Sequence, residues 1–427
     1  MTIRIISTGE TFTRAIETPG DKSISHRALM ISAMADGASI IRGISNGEDV
    51  ARTAVIMGQL GATVEKSLDD VVVTGPSGGL RASDEELFCG NSGTTIRLLL
   101  GILSGVEGSH RITGDSSLSR RPMDRVAAPL SLMGIQVSGH GEQVTPPLVV
   151  VGKKVTRGIT YEMPKASAQV KSALLFAGLF GDGTTTVSEQ IRTRSNTEEM
   201  LNFAGVSIVS VDEAAGRAVT VTPGRPQPRE WNIPGDPSQA AFFVVAGLIH
   251  PQGNVQIANM YDGAERLGYL SVLARMGGDI RRTPNHLGVR LDVRHSPLRG
   301  TTVHSNEIPS VDEVPALVVA ACAAEGETRF VEMSELRIKE SDRFAECIRL
   351  AVALGSKVTV EGDDFVVTGL GGAQHFSPID FDAPDDHRMA MAFSLVGLKV
   401  PGVVIENPGC VAKTYPGYWQ HLEQLGA

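Results

Sequence analysis

The sequence predicts an α/β protein of two similar domains, each made of three copies of one unit with a buried helix inside it. Three observations carry that expectation. A glycine recurs at near-constant spacing, a series of apolar helix-length stretches interleaves with it, and one turn sequence occurs twice, three units apart.

The glycines are Gly61, Gly134, Gly205, Gly277, Gly355 and Gly426, in the contexts "GQLGATV", "SLMGIQV", "NFAGVSI", "ARMGGDI", "VALGSKV" and "EQLGA". Each follows an apolar stretch and precedes a β-type run. That is the place of a helix-terminating residue in the left-handed conformation, where a side chain is penalised. Two short strands around a turn then follow, seen best in "IVSVDEAAGRAVTVTPG" and "KVTVEGDDFVVTG". The sixth copy reaches Ala427 with no strands of its own, so "TIRIIS" at the other terminus is expected to supply one.

The second series reads "SHRALMISAMADG", "SGTTIRLLLGILSG", "SAQVKSALLFAGLFGDG", "SQAAFFVVAGLIHPQG", "DEVPALVVAACAAEGE" and "DHRMAMAFSLVGLKVPG". Each has a polar opening, about three apolar turns and a glycine stop. Apolar residues on every face predict a buried helix rather than an amphipathic one. A β-branched strand such as "NVQIANM" or "TTTVSE" usually follows. One unit is therefore a buried helix, a strand, a second helix ending at the periodic glycine, and a hairpin. Six α/β units with joined ends suggest closed domains rather than a solenoid.

"TPGDKSIS" and "IPGDPSQA" bound three units. Pro, Gly and Asp set the local chain direction, so the pair predicts two crossings between domains. One domain is expected at 19–234 and the other at 1–18 plus 235–427.

Composition narrows the function. A formal charge of −9 disfavours general nucleic-acid or membrane-surface binding, which needs a basic face. Cys89, Cys322, Cys347 and Cys410 lie far apart without metal-ligand spacing and are expected as buried free thiols. "MTIRIISTGE" has no signal-like apolar region, and no stretch approaches membrane-span length. A reducing cytoplasm is expected, or a plastid if a transit peptide was removed.

The polar openings point to anions. Helix N-termini carry unpaired N–H groups and partial positive charge. If the buried helices of a domain run alike, their N-termini point the same way, and two such domains facing each other would form an anion-binding cleft. Lys22, Ser23 and Arg27 stand at the first opening, Asn91, Ser92, Gly93 and Thr94 at the second, and Ser167 and Gln169 at the third. Asp312 stands at the fifth, with His387 and Arg388 at the sixth. Any one of these could be an ordinary cap or turn; their repetition at equivalent places favours a site. Further basic clusters are "GDSSLSRRPMDR" with Arg121, "IRTRSNTEE" with Arg194, and "ELRIKESDRF". In the last, Lys339 and Arg343 at i,i+4 predict one helix face, with Glu340 beside them. Several Arg and Lys together imply a multiply anionic small ligand, and Asp312, Glu340 and His387 would supply acid/base groups. Neither HExxH, nor an EF-hand loop, nor a P-loop, nor a GxSxG elbow is present.

At this level of detail the chain resembles the 5-enolpyruvylshikimate-3-phosphate synthases along essentially its whole length. "PGDKSISHR", "GNSGTTIR", "GDSSLSRRPM", "ASAQVKSA", "ELRIKESDR", "DDHRMAM" and "AKTYPGYW" follow in that family's order. The resemblance implies two domains of three βαβαββ units each, helices inside and sheets outside, an inside-out α/β barrel. It implies transfer of the enolpyruvyl group of phosphoenolpyruvate to the 5-hydroxyl of shikimate 3-phosphate, with release of phosphate. No organic cofactor or obligatory metal is implied, and no partner beyond the two substrates; a monomer is expected.

Carried over by motif, Lys22, Ser23, Arg27, Ser167, Gln169, Arg194, Asp312 and Lys339 are implied to hold shikimate 3-phosphate. Lys22, Gly93, Arg121, Gln169 and Lys413 are implied for the phosphate of phosphoenolpyruvate, and Arg343 and Arg388 for its carboxylate. Asp312 is implied as the base on the 5-hydroxyl, Glu340 as the group that protonates C3, and Lys22 and His387 as groups that stabilise the intermediate or help phosphate leave. Domain closure over the anions is implied too. The herbicide glyphosate occupies the phosphoenolpyruvate site in this family, and Gly93 leaves room for it. Ser195 and Asn196 depart from one branch's pattern of an acidic or amide residue followed by His. Related UDP-N-acetylglucosamine enolpyruvyl transferases share the fold but open with Lys-Asn and carry a loop cysteine absent from "SSLSRRPM". They remain the enzymatic alternative, with a catalytically silent scaffold as the non-enzymatic one.

Overall fold

The computed structural model describes residues 3–5, 12–67, 70–214, 216–308, 310–378, 380–382 and 385–425. The chain divides into two compact units, Gly20–Ile233 and Met1–Pro19 with Pro234–Ala427.

In the continuous unit the helices alternate in character. The buried ones are α1 (Lys22–Met34), α3 (Gly93–Leu103) and α5 (Ala168–Gly178). Between them come α2 (Glu48–Gln59), α4 (Asp124–Leu132) and α6 (Asn196–Phe203), each buried along one face only. The discontinuous unit repeats the pattern, with α7 (Pro237–Ile249), α9 (Val314–Ala323) and α11 (His387–Gly397) buried along their whole length. Here α8 (Gly268–Arg275), α10 (Arg343–Ala353) and α12 (Tyr418–Gln424) are the partly exposed partners. The all-round apolar pattern therefore does mark the core. Full burial of side chains such as Phe242, Phe243 and Leu248 contributes about 1.5–3 kcal/mol each.

Five of the periodic glycines, Gly61, Gly134, Gly205, Gly277 and Gly355, hold φ between 81° and 100°. A left-handed turn ends each outer helix at the same point of its unit. Gly426 lies outside the described residues. The helix ends are satisfied in other ways too: Arg225 donates to the carbonyls of Met34 and Ala35, both at 2.9 Å, at the C-terminus of α1.

Each four-stranded sheet is built alike. The strand after a buried helix lies centrally, between a parallel neighbour and the hairpin. Glu230–Asn232, Gly37–Arg42, Asp70–Gly75 and Thr63–Lys66 form one such sheet, in that order. Its first strand reveals an exchange. Phe12–Glu17 immediately precedes α1, yet it pairs in parallel with Gly253–Met260 after α7. Glu230–Asn232 precedes α7, yet it pairs with Gly37–Arg42 after α1. The repeated "PGD" turns follow those two strands. Trp231 seals the exchange in its own unit, 5 % exposed and donating from Nε1 to Ser32 Oγ of α1 at 2.9 Å. The last sheet has three described strands, in which Ile3–Ile5 pairs antiparallel with Val403–Glu406. The expected contribution of "TIRIIS" is thus observed for its described residues. No helix among the described residues is long and apolar enough to cross a membrane.

Packing of the buried helices is close enough to demand small residues. A Cβ added at Gly101 of α3 would lie 2.1 Å from the Ala173 carbonyl oxygen of α5. Backbone cannot yield as a side-chain tip can, so Gly101→Ala is expected to cost roughly 3 kcal/mol. A lowered denaturation midpoint, set against the smaller shift of Gly134→Ala, is the measurement.

Candidate active site

In the unit 20–233, the openings of three buried helices gather. Asp21 caps α1 by accepting from the Ile24 amide at 2.8 Å, Ser92 caps α3 through Thr95 at 3.1 Å, and Ser167 caps α5 through Val170 at 3.3 Å. Gln169 joins α5 to α3, donating from Nε2 to Thr94 Oγ1 and accepting at Oε1 from Arg97 Nη1, both at 3.1 Å. A polar relay of His26, Thr53 and Thr95, with contacts of 2.7 and 2.8 Å, links α1, α2 and α3. Buried polar contacts of this kind tie these helices to one another.

The basic residues line that junction. Lys22 Nζ lies 2.6 Å from Asp49 Oδ2 of α2 and keeps part of its side chain exposed. Arg121 donates from Nη2 to Asn91 Oδ1 at 2.9 Å, and a Cβ at Gly93 would lie 3.1 Å from its Nη1. Arg194 donates from Nη1 to Ser23 Oγ at 3.0 Å. Lys22, Ser23, Gly93, Arg121, Ser167, Gln169 and Arg194 thus belong to one connected neighbourhood. Arg27 stands behind it. Only 2 % exposed, it gives Nε to Thr197 Oγ1 at 2.6 Å, Nη1 to the Ser23 carbonyl at 2.9 Å and Nη2 to Ser172 Oγ at 2.7 Å.

The unit containing 234–427 centres on one guanidinium. Arg343, 1 % exposed, donates from Nη1 to Asp312 at 2.9 Å and from Nη2 to Glu340 at 2.5 Å. It also donates to Asp386 from Nε at 2.8 Å and from Nη2 at 3.1 Å. Three carboxylates around it hold Arg343 above its already high ordinary value, against an opposing effect of burial that is the largest single influence. Asp386 also caps α11 by accepting from the Arg388 amide at 3.0 Å. His387 and Arg388 are therefore delivered by the first turn of α11, both nearly buried, with Arg388 Nη1 donating to the Ser238 carbonyl at 2.9 Å. Lys339 Nζ donates to the Ser310 carbonyl at 3.0 Å, and desolvation lowers its pKa although Asp312 and Glu340 oppose that shift. Lys413 Nζ lies 2.7 Å from Asp385 Oδ2. Val311 holds φ at 51°, a left-handed conformation unusual for a β-branched residue, immediately before Asp312.

One expectation is corrected. Lys339 and Arg343 do not share a helix face, because α10 begins at Arg343. Asp342 caps it by accepting from the Ala345 amide at 3.1 Å, and Lys339 is extended, with Glu340 between the two in the approach to the helix. The i,i+4 spacing carried no information there, since an Asp three residues before a backbone amide starts a helix afresh. Two residues escaped the sequence reading. Asp386 was visible as a cap before an apolar run, but its hold on Arg343 was not. Buried Glu313, which accepts from Ser238 Oγ and from Ser310 Oγ at 2.9 Å, gave no local signal. The four cysteines are free and buried, and burial pushes the Cys322 thiol up to about 12. Among the described residues, no group of three or more His, Cys, Asp or Glu side chains is placed to hold a metal.

Comparisons with known proteins give one consistent result. A family model described as EPSP synthase (3-phosphoshikimate 1-carboxyvinyltransferase) matches residues 6–422. A 3-phosphoshikimate 1-carboxyvinyltransferase of Thermus thermophilus is 42 % identical over 420 residues, which cover 96 % of each chain. One of Anaeromyxobacter sp. (strain K) is 40 % identical over 96 % of this chain and 93 % of its own. Among solved structures, an EPSP synthase from Acinetobacter baumannii superimposes with a TM-score of 0.86 at 34 % identity, covering 100 % of this chain and 98 % of that one. The enolpyruvyl transferase NikO from Streptomyces tendae, at 20 % identity and a TM-score of 0.79 over the same shares, extends the likeness of fold.

His26 supplies a pH test of the helix junction. Burial first, then the Lys22 and Arg27 charges, holds it well below its ordinary value of 6.5. The unfolded chain takes up a proton here below that value and the folded one does not. The stabilisation is therefore complete above pH 6.5 and is lost as pH falls towards the folded value. Unfolding free energies measured below pH 6.5 are expected to lose a slope of up to about 1.4 kcal/mol per pH unit in His26→Asn.

Proposed function

The chain belongs to the EPSP synthase (3-phosphoshikimate 1-carboxyvinyltransferase) family, and we propose that it transfers the enolpyruvyl group of phosphoenolpyruvate to the 5-hydroxyl of shikimate 3-phosphate and releases phosphate, a step of aromatic amino-acid biosynthesis. The observation that carries the residue-level reading is the ring of Asp312, Glu340 and Asp386 around Arg343. A guanidinium has five N–H donors, and four hydrogen bonds to these carboxylates leave one for a ligand.

That arrangement suits an acid waiting for its substrate. The carboxylate of phosphoenolpyruvate, gripped by Arg343 and Arg388, would join the three carboxylates already around Arg343. Protonation of Glu340 offsets the added negative charge and frees an Nη2 donor of Arg343 for the ligand. Glu340 then delivers the same proton to C3, which makes C2 electrophilic. Asp312 takes the proton of the 5-hydroxyl as its oxygen attacks C2, giving a tetrahedral intermediate. Elimination runs the chemistry backwards at C3: Glu340 removes a methyl proton and the C2–O bond to phosphate breaks, while Lys22 and His387 steady the leaving charge.

Residues 19–234 supply most of the anion-binding groups in this reading, and 1–18 with 235–427 supply the acid/base groups. Lys22, Ser23, Ser167, Gln169, Arg194, Asp312 and Lys339 hold shikimate 3-phosphate, with the Arg27 charge behind Ser23. Lys22, the Gly93 opening, Arg121, Gln169 and Lys413 take the phosphate of phosphoenolpyruvate, aided by helix N-termini. Four buried free thiols are in keeping with the cytoplasm.

Phosphate release from phosphoenolpyruvate is expected with shikimate 3-phosphate and not with UDP-N-acetylglucosamine. Asp312→Asn and Glu340→Gln are each expected to lower kcat by about 10²- to 10⁴-fold. Release with the UDP-sugar, or full rates in both variants, defeats the assignment. A second expectation concerns Gly93, where an added Cβ would lie 2.8 Å from Arg97 Nη1 and 3.1 Å from Arg121 Nη1. Gly93→Ala is expected to raise KM for phosphoenolpyruvate and to weaken glyphosate more, because the longer inhibitor has less room. Unchanged inhibition counts against it.

A further inference from the structure

We propose that a buried quartet of charges, Lys171, Glu189, Glu198 and Arg217, positions Arg194 for shikimate 3-phosphate. The inference rests on the reading of Arg194 given above. The four side chains come from four elements of the unit 20–233: α5, the strand Thr185–Glu189, α6, and the strand Gly216–Val221. Lys171 Nζ lies 2.9 Å from Glu189 Oε1 and 2.7 Å from Glu198 Oε1, and Arg217 Nη2 lies 2.9 Å from Glu189 Oε1. The side chains of Lys171 and Glu189 have no exposed surface, and those of Glu198 and Arg217 are 6 % and 10 % exposed. Two cations and two anions cancel.

Burying four charges is a poor route to stability, since apolar side chains of similar volume often do as well or better. What the quartet supplies is direction, and Thr193 receives it. Glu189 Oε2 accepts from the Thr193 amide at 3.2 Å and from its Oγ1 at 2.6 Å, while Arg217 Nη2 donates to the Thr193 carbonyl at 3.0 Å. Donor, hydroxyl and acceptor of one residue are thus tied to two members of the quartet. The next residue is Arg194, whose Nη1 donates to Ser23 Oγ at 3.0 Å. Residues 190–195 belong to no helix or strand, so without these ties the guanidinium would hang from an irregular segment. Glu198 anchors the far side in α6. There Thr197 Oγ1 accepts from Arg27 Nε at 2.6 Å and meets Ser172 Oγ at 2.6 Å, beside Lys171 on α5.

The quartet members and Thr193 are positioning residues, not catalytic ones, and their signature is a selective change in substrate affinity. Thr193→Val keeps the volume and removes only the hydroxyl bond to Glu189. It is expected to raise KM for shikimate 3-phosphate by about tenfold, the loss of one charge-assisted hydrogen bond, with kcat and KM for phosphoenolpyruvate changed less than about twofold. Thr193→Ser is expected to restore the unsubstituted value. Arg217→Lys, which keeps the charge but loses the fork that reaches the Thr193 carbonyl, moves the same KM in the same direction. In an Arg194→Ala background, Thr193→Val is expected to add nothing further, the non-additivity of residues acting through one group.

Equal changes for both substrates, an effect that persists without Arg194, or a lowered unfolding midpoint with unchanged KM each overturn the inference. An Arg194→Ala enzyme with unaltered affinity for shikimate 3-phosphate removes its premise and so overturns it too. The family reaction survives that last outcome if the unsubstituted enzyme still releases phosphate only with shikimate 3-phosphate.

Discussion

A helix with apolar side chains on every face can be buried only if its ends are satisfied, and that constraint organises this molecule. The amides at the start of a buried helix need acceptors, and water is scarce among its neighbours. Asp21, Ser92, Ser167, Asp236 and Asp386 provide them at five of the six buried helices. Each cap satisfies part of a helix end and leaves other N–H groups and a partial positive charge near the surface of the bundle. The anion binding proposed for the openings would therefore come with the architecture, and the basic side chains would refine it.

The groups proposed above as acid and base obey a related economy. Asp386 caps α11 through Oδ1 and, with both of its oxygens, orients Arg343. The guanidinium in turn sets the separation of Asp312 and Glu340. The two carboxylates proposed for different tasks are held by one cation whose own orientation is fixed by a helix end. That is how groups placed far apart in sequence can meet a reacting centre with small positional error.

Much of this was legible beforehand, and the limits have physical causes. The glycine spacing could be read because a left-handed turn tolerates few other residues, and the five described glycines of the series adopt it. The buried helices could be read because their apolar pattern lacks a polar face. The approach to α10 was misread: i,i+4 spacing describes a helix only once one exists, and Asp342 delays its start. Lys171 and Glu198 looked like ordinary members of α5 and α6. Their pairing depends on strands that join residues 189 and 217 across a sheet, and no local pattern encodes such a contact. Glu313 was hidden for the same reason.

The exchange of first strands bears on the order in which the protein can be made. Every described strand of the unit 20–233 lies between residues 37 and 232, so on a ribosome that unit can close as soon as Glu230–Asn232 has emerged. The other unit has no such freedom. Phe12–Glu17 waits for Gly253–Met260, and Ile3–Ile5 waits for Val403–Glu406. Through most of synthesis the nascent chain therefore carries an early-made segment whose backbone hydrogen bonds have no partner, an exposed edge of the kind that invites mispairing.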